Sequence, residues 1–460
     1  MTVDQFVHAL RAEQTPLEDA PGSLAAYETD FGRLVRGASR GVVRARSVDE
    51  MARIVRMARS LGVKLTPRGA GLSQGGQSVA AETITLDLSD LRSLDVSALR
   101  DARVSVGPGT TFREILAETI PHGLTLPVVP LNLDLTVGGV LSAGGMGSST
   151  HRHGLVVDHV VSANVVLGTG EQVTFSRESE VEVRDVVLGG VGRAGILACI
   201  TLALVPTPRA LRSLVLLYRD LSTLLADQTR LALRAEVEHL DAMCAPAMLG
   251  LIRTPQGGRA PLRRFSYALH LTVGADAVVE PLLADLSHDE VLHDEADDPL
   301  SFASRFDARF AAMRATGAWE LAHPWFEAFV PAARAREALE RAMAMPPFLS
   351  ELVRATPVAS DARGARSRSV AMPEGPAFVV AMLPAGVPAA FVEQARGAIE
   401  ALDAAYASLG AKRYLSGWLP RIHALGWAEH HGASLDALAR VVERCDPDHV
   451  LASRLPPLPR

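Results

Sequence analysis

The chain has 460 residues, and 46 basic against 52 acidic side chains leave a formal charge of −6. At ~150 residues per domain the length predicts two or three domains, and 48% apolar with 21% charged residues excludes a disordered chain. The acidic balance argues against nucleic acid as a partner, and three scattered cysteines (Cys199, Cys244, Cys445) make neither a disulfide framework nor a zinc site.

The basic residues are arginine except Lys64 and Lys412, which reads as the bias of a GC-rich genome. A lysine Schiff-base mechanism therefore has almost no candidates. No run approaches the ~20 apolar residues of a bilayer span. The first ten residues lack a basic start and an apolar core, so they do not read as a signal peptide. The expectation is a cytoplasmic protein with no membrane partner.

Phe6, Val7 and Leu10 share one side of a predicted N-terminal helix. Pro16, Pro21 and Gly22 break it. From Gly41 the pattern turns to strand, helix, strand. Val42 to Ala45 is a short strand. Ser47 with Glu50 predicts a capping box, and Met51, Ile54, Val55, Ala58 and Leu61 follow at helical spacing until Gly62. Strands are predicted over 63–66, 83–88, 102–106 and 196–205, a helix over 111–120, and a hairpin around Gly168-Thr169-Gly170. Pro206 and Pro208 mark a boundary. Beyond it lie a strand over 214–218, a helix over 221–233 and further alternation to about 414. Two stretches rich in proline and arginine, near 253–264 and 354–376, read as exposed, mobile loops. A helix over 434–444 precedes a proline-rich tail. The picture is an α+β protein of two lobes.

The strongest local signal is Thr66-Pro67-Arg68-Gly69-Ala70-Gly71-Leu72-Ser73-Gln74-Gly75-Gly76-Gln77, directly after a strand. Its glycines permit positive φ and close backbone approach, so successive N–H groups can converge on a pyrophosphate. Ser73 and Gln77 add side-chain donors. A Rossmann fingerprint fails here. Gln74 stands where a small residue is needed, and the following segment alternates like a strand. A second cluster spans Leu135 to Gly147 and a third Leu188 to Ile196. Three glycine-dense turns between strands suit a long phosphorylated ligand lying across a sheet edge.

In this order the clusters resemble the PCMH-type FAD-binding domain of the vanillyl-alcohol-oxidase superfamily, and within it cytokinin dehydrogenase. Further matching segments are Arg152-His153-Gly154, Tyr218 to Leu231, Ala322-His323-Pro324-Trp325-Phe326-Glu327 to Pro331, Tyr414-Leu415, Gly426-Trp427 to Gly432 and Asp446-Pro447. The resemblance implies an FAD lobe over 1–207, completed by 415–460. It implies a substrate lobe over 208–414, an antiparallel sheet covered by helices, with the flavin ring at the junction. It places cofactor contacts at Gly69, Ala70, Gly71, Leu72, Ser73, Gln77, Thr136, Ser142, Met146, Ile196 and Tyr414.

The departures from the family pattern matter more. The family's flavin-linking histidine falls on Leu72, so FAD is expected to be held non-covalently, at a lower potential. The family's catalytic aspartate, five residues before Thr136, falls on Leu131. Asp134 is near, but on a strand it would face the other side. The family's asparagine two residues after Trp325 is Glu327 here. Trp325 and Glu327 share a strand face, so Glu327 is either a relocated base or a solvated residue at the pocket mouth. The C-terminal polar flavin contacts are altered at 452–455.

Other candidates have plainer readings. His153 is structural, and His288 with His293 lies in a solvated acidic stretch whose spacing does not suit a metal. The sequence thus predicts an FAD-dependent oxidoreductase of secondary metabolism. It would take a hydride from a carbon next to nitrogen or oxygen of a small amine or heteroaromatic substrate. Catalysis would rest on Glu327, Trp325 and Asp134, with oxygen or another electron acceptor. The alternative is a flavin-fold protein that has lost redox work and acts as a cyclase, isomerase or binding module.

Overall fold

The computed structural model describes residues 2–15, 17–253, 259–359 and 367–459. In the first lobe, Ser47 Oγ accepts the Glu50 N–H and starts the helix Val48–Ser60, which ends at Gly62 with φ +65°. The Glu50 carboxylate returns to the N–H of Arg46 (2.7 Å), one residue earlier than a standard capping box. Thr111 and Glu114 form the full reciprocal box on the helix Phe112–Thr119.

The N-terminal helix Thr2–Ala12 buries Phe6 and Leu10. They pack with Met51, Ile54, Leu65 and Ile84 against a four-stranded sheet ordered Leu17–Glu18, Ala38–Arg44, Ala81–Asp87, Leu65–Arg68. A five-stranded antiparallel sheet follows, ordered Leu94–Asp95, Arg103–Val106, Gly195–Ala203, Val160–Leu167, Gln172–Ser176. Val166, Ile196 and Ala198 join the two sheets through one core, and Val450 and Leu451 pack into it too. The Leu65 N–H donates to the Val450 carbonyl (2.7 Å), so the end of the chain closes on the first lobe.

The second lobe is one eight-stranded antiparallel sheet. Its order is Glu290–Asp297, Leu211–Tyr218, Arg259–Gly274, Val237–Arg253, Val353–Val358, Ala377–Met382, Phe326–Pro331, Lys412–Arg413. Alternation along each strand gives the sheet two unlike faces. Leu214, Leu240, Leu271, Phe326, Val353 and Val380 pack beneath the helices Leu221–Leu231, Ala335–Met343 and Val392–Ser408. Their neighbours Asp241, His270, Glu327 and Arg354 fall on the opposite face.

Two expectations need correction. The second glycine cluster is not a turn between strands. Its core is the helix Val137–Ala143, where a Cβ on Gly138 would crowd Pro108. The start of the supposed 354–376 loop is the buried strand Val353–Val358, and Ser367, Ser369 and Val370 at its end are buried. Long-range pairing to 237–253 and 377–382 overrides the loop-like composition of that stretch. Residues 360–366 and 254–258 of the two supposed loops lie outside the described residues. No helix among the described residues is long and apolar enough to cross a membrane.

Candidate active site

A cavity at the junction of the lobes has an empty volume of about 1530 Å³, open mouth included. Gly69, Ala70, Gly71, Leu72, Ser73, Gln77, Thr136, Ser142, Met146, Ile196, Tyr414, Trp325 and Glu327 all line it.

The first loop offers its backbone to this cavity. The Gly71 carbonyl accepts from Phe31 (2.9 Å), the Ser73 carbonyl from Gly32 (3.1 Å) and the Leu72 carbonyl from the Gln74 side chain (2.7 Å). The carbonyls are thus engaged by protein. The N–H groups of Gly69 to Ser73 meet no protein acceptor among the described residues. Consecutive free amides at a cavity wall form a cradle for a diphosphate. Gly71 has φ +69°, and a Cβ there would strike the Arg68 guanidinium. On Gly69 it would strike the Thr136 hydroxyl.

The side-chain donors are used differently from expectation. Gln77 donates to the carbonyls of Leu415 (2.6 Å) and Gly417 (3.1 Å) and accepts from Gly75, tying the loop to the C-terminal segment. Ser73 donates to Asp30 (3.0 Å), and Ser142 to Gly138 O (2.8 Å). Backbone amides, not these hydroxyls, are left for a cofactor. The Tyr414 hydroxyl accepts the Gly145 N–H (3.0 Å), and burial pushes the phenol up, so it stays protonated.

Asp30, which no sequence pattern singled out, braces the loop. It accepts the Gly76 N–H (2.7 Å) as well as the Ser73 hydroxyl. Burial pushes its pKa up to about 6. Asp30→Ala leaves the buried Gly76 N–H without an acceptor and the Ser73 hydroxyl with Ser78 alone (2.9 Å), at about 1–3 kcal/mol. We expect FAD to bind about fivefold to a hundredfold more weakly, since 1.4 kcal/mol is a factor of ten. Titration of apoprotein with FAD by flavin fluorescence tests this, and unchanged affinity would remove the bracing role.

The far end of the cavity is aromatic. Phe31, Leu72, Phe310, Trp319 and Trp325 cluster there. Trp325 meets Phe31 edge-on at 5.4 Å and donates its indole N–H to Pro384 O (2.9 Å), which fixes its plane. Leu72 thus belongs to an apolar wall, where it can pack but not bond covalently.

Glu327 is the carboxylate of this wall, and it is only 7% exposed. It is not the solvated residue that the plainer reading foresaw. Ser416 Oγ donates to it at 2.7 Å. Burial raises its pKa above the ordinary glutamate value, and the Ser416 hydrogen bond, Arg354 and Arg413 oppose the rise. Arg354 also lines the cavity and is held by Asp241 across two N–H contacts (2.6 and 2.9 Å).

Asp134 does not join the site. It sits in a turn before the helix Val137–Ala143 rather than on a strand, and its carboxylate pairs with Arg113 (2.8 Å), which also holds Asp307. Its neighbours Leu131 and Asn132 line the cavity; Asp134 does not. Among the described residues no His, Cys, Asp and Glu group could hold a metal. His293 instead pairs with Glu295 (3.0 Å).

Comparisons with known proteins place both lobes in known domain families. Residues 39–176 match the FAD binding domain family, and residues 265–454 match the family described as cytokinin dehydrogenase 1, FAD and cytokinin binding. Cytokinin dehydrogenase 7 of Oryza sativa subsp. japonica is 27% identical over 94% of this chain and 89% of its own length. Cytokinin dehydrogenase 6 of the same plant is 25% identical over 98% and 92%. An uncharacterized oxidoreductase of the fasciation locus of Rhodococcoides fascians is 29% identical over 69% and 70%. With one glycine loop presenting bare amides and these two domains in this order, the chain belongs to the cytokinin dehydrogenase-like, FAD-dependent oxidoreductases with a PCMH-type FAD-binding domain.

Proposed function

We propose that the protein oxidises a small flat organic substrate at a carbon next to nitrogen or oxygen, with FAD bound non-covalently and Glu327 as the proton acceptor. When bound, FAD supplies the hydride acceptor, which is the difficult part of the chemistry. The protein's share is to bind, orient and manage one proton. Gly69 to Ser73 would hold the diphosphate through backbone N–H groups. Trp325, Phe31 and Leu72 would flank a planar substrate and exclude water from it. Glu327 would take the proton from the substrate's N–H or O–H at its carboxylate. Burial that raises its pKa makes it a stronger base, and Ser416 keeps one oxygen oriented. The observation that carries this reading is a buried carboxylate on the cavity wall when Leu131 has replaced the usual one. Asp134 has no part in it.

Two of these relatives are named cytokinin dehydrogenases, yet the shifted carboxylate favours a different amine or a heteroaromatic ring system. We extend the reading to a cytoplasmic bacterial enzyme of secondary metabolism, with oxygen or another compound reoxidising the flavin. The arginine-rich composition and the altered site support it. The domain division at 207 and 415 belongs to the same proposal.

Purified protein should be yellow, and acid precipitation should release all the flavin into the supernatant, because Leu72 offers no nitrogen for a covalent link. Yellow colour left in the pellet would refute the non-covalent reading. A panel of amines and heteroaromatics, cytokinins included, should contain compounds that bleach the flavin without oxygen. Turnover with no bleaching by any of them would instead favour the cyclase or isomerase alternative.

A further inference from the structure

We infer that a second cavity, across the Arg354–Asp241 pair from the first, is a binding site for a small molecule carrying a carboxylate or phosphate group. Arg354 lines the first cavity and Asp241 the second, so their ion pair is the partition. The second cavity has an empty volume of about 850 Å³, mouth included.

The floor is the polar face of the large sheet, laid out in two register rows. His239, Thr272, Ser213 and Glu295 pair in sequence across four strands. Asp241, His270, Val215 and His293 form the next row. Three steps of ~4.8 Å place the two ends of a row ~14 Å apart. The roof comes from elsewhere: Ser148 of the first lobe, and Phe302 and Arg305 beyond the sheet's edge strand.

Charge gives the cavity a direction. Glu295 and Asp297 stand at the edge-strand end, where Glu295 pairs with His293. Arg305 stands with His239 around Ser148 at the other end. The Arg305 guanidinium donates to Phe302 O (2.9 Å) and Ser148 Oγ (3.0 Å) and stacks on the Phe302 ring (4.0 Å). Among the described residues no carboxylate lies within ion-pair reach of it. Asp241, the nearest candidate, is already engaged by Arg354 and by Thr356 (2.5 Å). A guanidinium has five N–H donors, and the two bonds named leave the others for the cavity.

The imidazoles fit the same ligand. Ser148 Oγ lies 3.0 Å from His239 Nδ1, while His270 makes no hydrogen bond among the described residues. Both are neutral: burial and Arg305 hold His239 well below the usual range, and His270 is pushed down to about 4. A buried cation with no carboxylate in direct contact, and only the more distant Asp241 to favour its charge, is costly, and an anion seated on its free N–H groups offsets that cost. This site would exist whatever the first cavity oxidises.

The test is calorimetric titration of the FAD-loaded protein with sodium phosphate and with sodium acetate, at ionic strength fixed by chloride. Binding of one ion per chain is expected, and the tighter of the two identifies phosphate or carboxylate as the preferred group. Arg305→Gln should weaken binding at least tenfold. Val215→Trp, which plugs the floor without touching Arg305, should abolish it. Bound-flavin absorbance and far-ultraviolet circular dichroism report whether each variant is folded. No saturable heat from either ion up to tens of millimolar overturns the assignment. So does binding that either folded variant leaves within twofold of the parent.

Discussion

Glu327→Gln should slow substrate-driven flavin bleaching by about 10²–10⁴-fold, the usual worth of a positioned general base. Flavin content should not change, because the diphosphate cradle lies on another loop. Glutamine keeps the shape and can still accept from Ser416, so the change isolates the proton. The same substitution should raise stability at neutral pH. Burial raises the Glu327 pKa, so between the unfolded and folded values the native state holds more protons than the unfolded chain. Stability then falls as pH rises through that window. Above it the parent carries the full cost of an ionised buried carboxylate, and the glutamine variant carries none. The two thermal midpoints should therefore converge below about pH 4, where the unfolded-state glutamate is itself protonated. Activity should run the other way and rise with pH through the raised pKa. Ser416→Ala removes a hydrogen bond that lowers this pKa, so the acid limb of the rate profile should move to higher pH. A glutamine variant with parental bleaching rates would end the base assignment.

Arg354→Ala should be the most destabilising substitution at the junction, by about 3–5 kcal/mol. Arg354 and Asp241 are 4% and 2% exposed at their side chains, so removing the guanidinium strands a carboxylate without water. Thr356 alone would remain on Asp241. Replacing the pair by Arg354→Met with Asp241→Leu should recover most of the loss, because no charge is then left buried. Denaturant unfolding of the parent and both variants measures this, and a single variant within about 1 kcal/mol of the parent contradicts it. In the folded double variant the acid limb of the rate profile should also rise, since Arg354 helps to lower the Glu327 pKa.

Much of the first lobe was legible locally. Ser47, Thr111 and Gly62 mark helix ends through side-chain and backbone chemistry that acts within four residues. The glycine loop after Leu65–Arg68 was legible for the same reason, and so was the two-residue spacing that sets Trp325 and Glu327 on one wall. The use of the loop's donors was not. Ser73 and Gln77 find their partners in Asp30, Leu415 and Gly417, far off in the chain. Asp134 shows the same limit, since its orientation is set by a turn and by Arg113 rather than by strand alternation.

By itself the sequence determined the helix ends, the glycine-rich loop after Leu65–Arg68 and the shared wall of Trp325 and Glu327, while the two-lobed plan was implied by the family resemblance. The helix ends, the loop and the shared wall depend on residue type at short spacing, where sterics and hydrogen-bond reach act directly. Only the tertiary structure decided that Arg354 lies in a central strand, that Asp30 braces the loop, and that Arg305, His239 and His270 share a second cavity. Those facts come from pairing between strands far apart in the chain. Such pairing is chosen by burial of one whole sheet face, and the polar residues of the other face are carried into contact by its register.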